Sequence, residues 1–342
     1  MAIKVGINGF GRIGRMVFRI MTQRGGFDIV AINDPFISAE QARYLLTYDT
    51  VYHRYDHKVE FYEEKNAKGE VEKQGISISG HEIPLLREKD PSNLPWGKLG
   101  IDVVIESTGQ FLTREKASLH LAGGAKKVLL SAPAKDDDIP QIVYGVNTKA
   151  YDKAKDLIIS AASCTTNSLA PVAYVLEKEF GIVHALMSTV HGYTADQKIV
   201  DAPHGKFTRG RTAAANIVPT TTGAATATTK VIPSLAGKMD GMAFRVPVPT
   251  GSVTDFTAAL KVDVTPEVVN EAMRKYAKGE LEGILDVAED PIVSSDIVGE
   301  THASVFDPSW TKVIDKRLVK VVTFYDNEWG YTNQLVRVAT VF

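Results

Sequence analysis

Residues 3–34 read IKVGINGFGRIGRMVFRIMTQRGGFDIVAIND, and this stretch decides the fold of the first half of the chain. A β-rich run, IKVGIN (3–8), leads into Gly9-Phe10-Gly11-Arg12-Ile13-Gly14, and a helical pattern covers residues 11–24. In a G-x-G-x-x-G turn the first glycine permits tight bending, the second admits a pyrophosphate, and the third lets helix and strand pack closely. The N–H groups at the helix N-terminus favour the same anion. The stretch therefore predicts a dinucleotide-binding strand–helix–strand unit.

Asp34 indicates which dinucleotide is bound. It closes the second strand, DIVAIN (28–33), at a position 20 residues past Gly14, where an acid meets the adenosine ribose. A carboxylate accepts a hydrogen bond from a 2′-hydroxyl and repels a 2′-phosphate, so NAD is preferred over NADP. The alternative is that Asp34 is only a turn residue before Pro35.

The remaining pattern predicts two kinds of sheet. In the first half, β-rich runs at 102–108, 126–131 and 157–162, with a helical pattern at 113–122, favour parallel strands covered by helices. The second half has longer strands with fewer helices, at 182–191, 241–248, 252–264 and 318–325, which suits an antiparallel sheet. The predicted fold is α/β: a doubly wound, mostly parallel Rossmann sheet plus an α+β catalytic domain with a largely antiparallel sheet.

The composition excludes several classes of protein. The chain has 342 residues, and 39 Lys and Arg against 41 Asp and Glu give a formal charge of −2, so no polybasic nucleic-acid or membrane surface is expected. A single cysteine excludes an intramolecular disulfide and a cysteine-based zinc site. No third ligand or H-E-x-x-H pattern accompanies His53 and His57, so no metal is predicted. With no apolar run of 18 residues, we expect a soluble, cytoplasmic protein.

Cys164 and His191 are candidates for nucleophilic chemistry. Cys164 precedes a helical pattern, and a helix N-terminus stabilises a thiolate and lowers its pKa. Its polar neighbours, Ser-Cys-Thr-Thr-Asn, argue against the alternative of a buried structural cysteine. His191 follows a strand and precedes a polar loop, which suits a base, although taken alone it fits a structural role better than a catalytic one.

Six segments together identify a family. NGFGRIGR, SCTTN, TVHGYTADQ, TTTGAA, FRVP and YDNEWGY occur in this order, and they resemble phosphorylating glyceraldehyde-3-phosphate dehydrogenases over essentially the whole chain. The resemblance implies an NAD-binding domain at 1–163, a catalytic domain at 164–326, and a C-terminal helix, 327–342, that rejoins the first domain. It also implies a homotetramer and the glycolytic conversion of glyceraldehyde 3-phosphate, NAD and inorganic phosphate to 1,3-bisphosphoglycerate, through hemithioacetal and thioester intermediates.

Carried over motif by motif, the resemblance assigns roles to individual residues. Cys164 is implied as the nucleophile and His191 as the general base. Two anion sites, for the substrate phosphate and the attacking phosphate, are implied at Ser163, Thr165, Thr194, Arg209, Thr222, Gly223 and Arg245. Contacts to NAD are implied for Gly9, Gly11, Arg12, Ile13, Gly14, Asp34, Lys89, Thr108 and Ser131, with Asn327 holding the nicotinamide carboxamide.

Other readings stay open at this point. Erythrose-4-phosphate dehydrogenases share the scaffold and SCTTN, although TTTGAA with Gly223 fits the glyceraldehyde enzyme better. Aspartate-semialdehyde dehydrogenases share the Cys/His pairing but neither SCTTN nor YDNEWGY. A nucleic-acid-binding or redox-sensing role is a secondary alternative from a different class. Ser168 stands where the family more often has a second cysteine, which affects redox sensitivity rather than the reaction.

Overall fold

A computed structural model of the chain describes residues 2–342. Packing divides them into two compact units, the first comprising residues 2–141, 149–161 and 335–342, and the second residues 142–148 and 162–334. Among these residues no helix has both the length and the apolar character needed to cross a bilayer.

The first unit is built on a sheet that is eight-stranded in the described residues, in the order β3-β4-β5-β2-β1-β6-β7-β8. Its strands are β1 Ile3–Asn8, β2 Phe27–Asn33, β3 Val59–Lys65, β4 Val71–Ile78, β5 His81–Leu86, β6 Val103–Glu106, β7 Lys127–Leu130 and β8 Ile158–Ser160. Its helices are α1 Arg12–Arg24, α2 Ala39–Thr47, α3 Trp96–Leu99 and α4 Arg114–Ala122. Strands β5, β2, β1, β6, β7 and β8 pair in parallel, whereas β3, β4 and β5 pair antiparallel.

The position of β1 in this sheet determines where a ligand can bind. The chain leaves β1 through α1 to β2 on one side, whereas β6 pairs with β1 on the other side. In open parallel sheets, such a reversal of direction leaves a crevice outside the carboxyl ends of the strands. The residues that directly follow β1, β2 and β6 are therefore neighbours at one edge of the sheet.

The second unit contains a seven-stranded sheet in the order β10-β11-β9-β12-β15-β14-β13. Its strands are β9 Ile182–Gly192, β10 Val218–Thr221, β11 Met239–Val246, β12 Ser252–Leu260, β13 Leu285–Val287, β14 Ser304–Ile314 and β15 Leu318–Tyr325. Its helices are α5 Cys164–Phe180 and α6 Ala224–Val231, with α7 Pro266–Ala277. Helix α8 Trp329–Val341 begins in this unit and ends in the first. Helix α5 packs on the sheet over a core that includes Leu169, Val172, Leu176, Met187, Phe256 and Phe306.

The predicted fold class is confirmed: the first sheet is mostly parallel and the second mostly antiparallel. Two parallel pairs, β9 with β11 and β13 with β14, make the second sheet mixed. Thr265 caps α7 as expected, since its side chain accepts the Val268 N–H. The domain limits at 163 and 326 stay predictions.

Several strands were not predicted, among them β3, β4, β5 and β14. In β14, Asp307 and Pro308 interrupt the alternation where the register with β15 shifts. The C-terminal helix expected at 327–342 corresponds to α8 Trp329–Val341, and the Asp326 carboxylate accepts the N–H groups of Glu328 and Trp329 at its start.

Candidate active site

A capping residue sets the position of Cys164. Ser163 is the N-cap of α5, and its Oγ accepts a hydrogen bond from the Thr166 N–H at 3.0 Å. Ser, Thr, Asp and Asn are favoured at this position because they satisfy an otherwise unpaired N–H group. Cys164 is therefore the first helical residue, as the sequence predicted, and its thiol lies at the positive end of the helix dipole.

The structure brings Cys164 and His191 together from two different elements. The Cys164 Sγ lies 3.4 Å from the His191 Nε2, at the end of β9. The Nδ1 of His191 is 2.6 Å from the Gly192 carbonyl oxygen, which can only accept, so Nδ1 carries the proton. In the neutral ring Nε2 then presents its lone pair to the thiol. This is the arrangement that a base needs in order to activate a thiol nucleophile.

Burial acts against charge on both members of this pair. It raises the pKa of the Cys164 thiol, whereas the positive charge of Arg245 and hydrogen bonds from Thr165 act in the opposite direction. Burial, reinforced by Arg245, lowers the pKa of His191 to about 3. The sequence predicts that the helix N-terminus lowers the pKa of the Cys164 thiol. This prediction is wrong, because desolvation of the thiol outweighs the effect of the helix. Proton transfer from Sγ to Nε2 would create two opposite charges 3.4 Å apart, which stabilise each other.

Tyr325 contacts the His191 ring and the residue that follows Cys164, and the sequence did not indicate a role for it. Its buried hydroxyl lies 2.9 Å from the Thr165 Oγ1 and 2.8 Å from the Thr189 Oγ1, so it joins α5 to β9. Its ring meets that of His191 edge to face, with centroids 6.0 Å apart. Its only sequence signal is its position as the first residue of YDNEWGY, the motif in which Asn327 is the predicted cofactor residue.

A cationic region adjoins the pair. The Nη1 of Arg245 donates to the Thr194 Oγ1 at 2.9 Å and lies 3.4 Å from the Gly192 carbonyl oxygen. Its Nε is buried and has no hydrogen-bond partner among the described residues. Burial, and next the charge of Arg209, lowers the pKa of Arg245. A buried guanidinium with an unused donor is suited to binding an anion.

Arg209 and Thr222 lie on the loop and helix that border this region. Arg209 donates to Asp196 at 2.6 Å and to Thr220 at 3.0 Å, so one carboxylate already compensates its charge. The Thr222 Oγ1 accepts the Ala224 N–H at the start of α6. A side chain added at Gly223, the N-cap, would meet open space, which leaves the backbone accessible.

Lys206 is a further cation that sequence reasoning missed. Its Nζ donates to the Thr221 Oγ1 at 2.8 Å. Burial and the charges of Arg209 and Arg245 lower its pKa, which places it within the same positive field. The basic segment HGKFTRGR, residues 204–211, was the available signal.

In the first unit the glycine pattern forms the expected turn. Gly9 has φ +92°, and a Cβ there would lie 2.8 Å from the Thr108 nitrogen. A Cβ on Gly14 would lie 2.0 Å from the Gly9 carbonyl oxygen, so helix and turn are in direct contact. At Gly11, by contrast, a Cβ would meet nothing within 4 Å. The first turn of α1, including Arg12 and Ile13, has no acidic residue and no side-chain cap, so its N–H groups suit a pyrophosphate.

Asp34 and Arg12 have partners that the sequence did not show. The two carboxylate oxygens of Asp34 accept the N–H groups of Phe10, at 2.9 Å, and Phe36, at 3.0 Å. Each oxygen retains a lone pair that can accept a ribose hydroxyl. The guanidinium of Arg12 forms an ion pair with the buried Asp49, so this side chain is used within the protein. Any contact of Arg12 with a pyrophosphate is expected from its backbone N–H.

The other predicted cofactor residues occupy strand ends. Thr108 and Ser131 follow β6 and β7, while Lys89 is exposed after β5, so all three lie at the carboxyl edge of the parallel strands. In the second unit, the Asn327 Oδ1 accepts from the Gly251 N–H at 3.1 Å and from the hydroxyl of Ser252 at 2.8 Å. Its Nδ2 therefore remains available to donate to a carboxamide oxygen.

Together these features define a class of protein. The first unit has the glycine turn, strand-end acid and helix N-terminus of a dinucleotide-binding domain, and the second holds a cysteine–histidine pair beside buried cations. These are the parts of a nicotinamide-dependent oxidoreductase that forms a covalent intermediate on cysteine.

Comparison with known proteins identifies the family. Residues 3–114 match the family described as glyceraldehyde 3-phosphate dehydrogenase, NAD binding domain, and residues 163–327 match its C-terminal domain. The chain is 52% identical to glyceraldehyde-3-phosphate dehydrogenase 2 of Streptomyces avermitilis and 53% identical to the glyceraldehyde-3-phosphate dehydrogenase of Streptomyces coelicolor, over 100% of this chain and 98% of each relative. It is 50% identical to the enzyme of the same name from Geobacillus stearothermophilus, over 99% of this chain and 98% of the relative. The chain belongs to the glyceraldehyde-3-phosphate dehydrogenase family.

The Cys164–His191 contact leads to a prediction about alkylation. Iodoacetamide should label Cys164 alone, and His191→Asn should slow labelling at pH 6–7, because the thiol loses the base that accepts its proton as the sulfur is alkylated. The same change should lower turnover by roughly 10²–10⁴-fold through loss of the positioned base. Rate–pH profiles of labelling that superimpose for wild type and variant would eliminate the pair. His184→Asn, at an exposed position on β9, is the matched control and should leave both measurements unchanged.

A second prediction concerns Asp34. Asp34→Asn should improve the use of NADP relative to NAD, since removing a like charge beside a phosphate shifts preference by about 1–3 kcal/mol. Asparagine removes the charge and keeps the acceptor for one of the two backbone N–H groups, whereas Asp34→Ala removes the charge and both acceptors. The ratio of kcat/KM for the two cofactors measures the effect. Equal values for both cofactors in the wild type would contradict the assignment.

Proposed function

We propose that this protein oxidises and phosphorylates D-glyceraldehyde 3-phosphate in glycolysis, forming 1,3-bisphosphoglycerate with NAD and inorganic phosphate. The observation that carries the proposal is the 3.4 Å contact between the Cys164 Sγ and the His191 Nε2 beside Arg245. Membership of the family and the NAD-binding domain match at residues 3–114 support it.

The reaction follows from the properties of the pair. The Cys164 sulfur forms a bond to the aldehyde carbon while its proton passes to the His191 Nε2. His191 returns this proton to the former carbonyl oxygen, which gives the hydroxyl of a hemithioacetal and leaves the imidazole neutral again. Bound NAD supplies the hydride acceptor for the oxidation step. His191 takes the hydroxyl proton as the carbon is oxidised, which leaves a thioester on Cys164. Phosphate then attacks this carbon, the carbon–sulfur bond breaks, and the product is an acyl phosphate.

The positive region supports two anion sites. Arg245, with its unused Nε, and Thr194 are suited to one phosphate, with Arg209 nearby. The N-terminus of α6, at Thr222 and Gly223, is suited to another because first-turn N–H groups bind anions. Ser163 and Thr165 flank the nucleophile and complete the proposed set. The N–H of Cys164, at the first helical position, is proposed to stabilise the oxyanion.

The proposed cofactor set is the one implied by the motifs. Gly9, Gly11, Arg12, Ile13 and Gly14 form the pyrophosphate turn, and Asp34 binds the adenosine ribose. Thr108, Ser131 and Lys89 contact the cofactor from the ends of their strands. The Asn327 Oδ1 is held by the Gly251 N–H and the Ser252 hydroxyl, and its amide orients the nicotinamide carboxamide.

We further propose that the protein is a cytoplasmic homotetramer with no primary nucleic-acid role. The near-neutral charge of −2 argues against a nucleic-acid role, and the lone cysteine favours a reducing compartment such as the cytoplasm. One sheet face of the second unit also exposes apolar side chains on adjacent strands, including Leu186, which is 67% exposed. A second copy of the chain is the occupant that would bury such a face. Light scattering that shows only the 37.3 kDa monomer would contradict the assembly.

One experiment tests the reaction and the anion site together. Formation of NADH from glyceraldehyde 3-phosphate and NAD should require inorganic phosphate, and erythrose 4-phosphate should be the poorer substrate. Arg245→Ala should reduce phosphate-dependent turnover about tenfold or more while leaving NAD affinity nearly intact, because charge-assisted hydrogen bonds contribute about 1.5–3 kcal/mol each.

Arg211→Ala provides the matched control. Arg211 is exposed and pairs with Asp201, so its loss should change neither turnover nor phosphate dependence. NADH formation that does not depend on phosphate, or faster turnover of erythrose 4-phosphate, would overturn the proposed reaction. Unchanged dependence on phosphate and on triose phosphate in Arg245→Ala would show that this arginine was misassigned.

A further inference from the structure

A chain of buried polar side chains lies directly behind the cofactor edge of the first unit. We call Asn33, Asn8, Glu106, His120 and Trp96 the buried network, and each of these residues is at most 2% exposed. They come from the ends of β2, β1 and β6 and from the helices α4 and α3. The reaction described above uses none of them.

The polarity of the network is fixed at the Trp96 end. The Trp96 Nε1 lies 3.1 Å from the His120 Nδ1, and an indole nitrogen can only donate. His120 must therefore accept at Nδ1 and carry its proton on Nε2. The Nε2 lies 3.0 Å from the Glu106 Oε2, to which it donates.

The polarity is also fixed at the opposite end. The Glu88 backbone N–H donates to the Asn33 Oδ1 at 2.9 Å, so the Asn33 Nδ2 is the donor to the Asn8 Oδ1 at 2.7 Å. The Asn8 Nδ2 consequently donates to the Glu106 Oε2 at 2.6 Å. Asn8 Nδ2 and His120 Nε2 are 3.4 Å apart, as expected for two donors that converge on one oxygen.

Glu106 must accept at both of its oxygens. The Oε2 receives the two side-chain donors, and the Oε1 receives the Thr108 N–H at 2.8 Å and the Thr108 hydroxyl. Neither end of the network can reverse, and a carboxylate, which accepts at both oxygens, satisfies all four donors. An amide at this position would place its NH2 group against the Thr108 N–H or against the Asn8 and His120 donors.

The members of the network stand next to the cofactor residues in sequence. Asn8 precedes Gly9, Asn33 precedes Asp34, and the Glu88 backbone precedes Lys89. Thr108, held by Glu106, packs so closely on the turn that a Cβ at Gly9 would lie 2.8 Å from its nitrogen. The segments that follow β1, β2, β5 and β6 are therefore tied to one carboxylate.

We propose that Glu106 is a positioning residue for the dinucleotide cofactor, and that its ionised carboxylate sets the relative placement of the loops that follow β1, β2 and β6. This inference rests on NAD binding at this edge. Glu106 does not touch the cofactor and acts through Thr108 and Asn8. A shift of these loops by even a fraction of an ångström would weaken several cofactor contacts at once.

The test measures NAD binding by calorimetry and thermal unfolding in the same samples. Glu106→Gln keeps the shape of the side chain but turns an NH2 group towards hydrogen-bond donors of the network. The Kd for NAD should therefore rise about tenfold to a hundredfold, the range expected for unsatisfied buried donors. Glu177→Gln is the matched control, because this second-unit glutamate also accepts a backbone N–H, from Ile182 at 2.6 Å. Its Kd for NAD should stay within about twofold of the wild type, the scatter expected for a change outside the site.

Glu106→Asp provides the second variant. An aspartate keeps two oxygens that only accept hydrogen bonds, so it opposes none of the donors of the network. Its Kd for NAD should therefore lie closer to the wild-type value than the Kd of Glu106→Gln does. If Glu106→Gln fails to fold, Glu106→Asp should fold and bind NAD.

Several outcomes would overturn the inference. These are an unchanged Kd in Glu106→Gln, a lower melting temperature with an unchanged Kd, a Kd in Glu106→Asp that is no closer to the wild type than that of Glu106→Gln, or a Glu106→Asp protein that does not bind NAD. A wild-type protein that does not bind NAD would instead contradict the proposed function, so the two failures are distinguishable.

Discussion

The hydrogen bond from the Thr166 N–H to the Ser163 Oγ fixes the beginning of α5, and the catalytic cluster depends on it. Because Ser163 is the N-cap, Cys164 must be the first helical residue, with its sulfur 3.4 Å from His191. The Gly192 carbonyl at the end of β9 then fixes the imidazole tautomer and also lies within reach of Arg245. One helix end and the ends of the paired strands β9 and β11 thus place the cysteine, the histidine and the arginine on regular elements, which hold side chains more precisely than loops do.

The first unit reaches comparable precision with backbone groups. The Ser107 hydroxyl donates to the Gly9 carbonyl oxygen at 2.7 Å, and Gly14 packs against that same oxygen. The turn is thereby held between β6 and α1, and no larger side chain could replace Gly14 without moving the turn. Parallel pairing brings the loops after β1, β2 and β6 to one edge, and the carboxylate of Glu106 ties them together from behind.

This contrast explains what could be predicted from the sequence. Tight turns and helix starts leave local patterns, so the glycine turn and the beginning of a helix next to Cys164 were recognisable. Contacts between distant side chains leave no spacing pattern. Arg12 with Asp49 and Tyr325 with Thr189 are therefore visible only in the structure.

The charge state of the site was also beyond local sequence patterns. A helix N-terminus predicts a stabilised thiolate, but the extent of burial, which raises the thiol pKa, depends on the whole tertiary fold. Similarly, strand β14 is held by its pairing with β13 and β15, although its own alternation is broken at Asp307. In both cases tertiary context outweighs the local signal.

Burial of several positive groups explains how substrate binding can prepare the base. Arg245 and Arg209 repel each other, and Arg245 also contributes to the low pKa of His191, about 3. Asp196 compensates Arg209 only. A phosphate held by Arg245 would offset the charge that opposes protonation of His191, and the pKa of His191 would rise. A phosphate bound at Arg245 would then strengthen the base that the reaction needs, so that the binding energy of this anion contributes to catalysis.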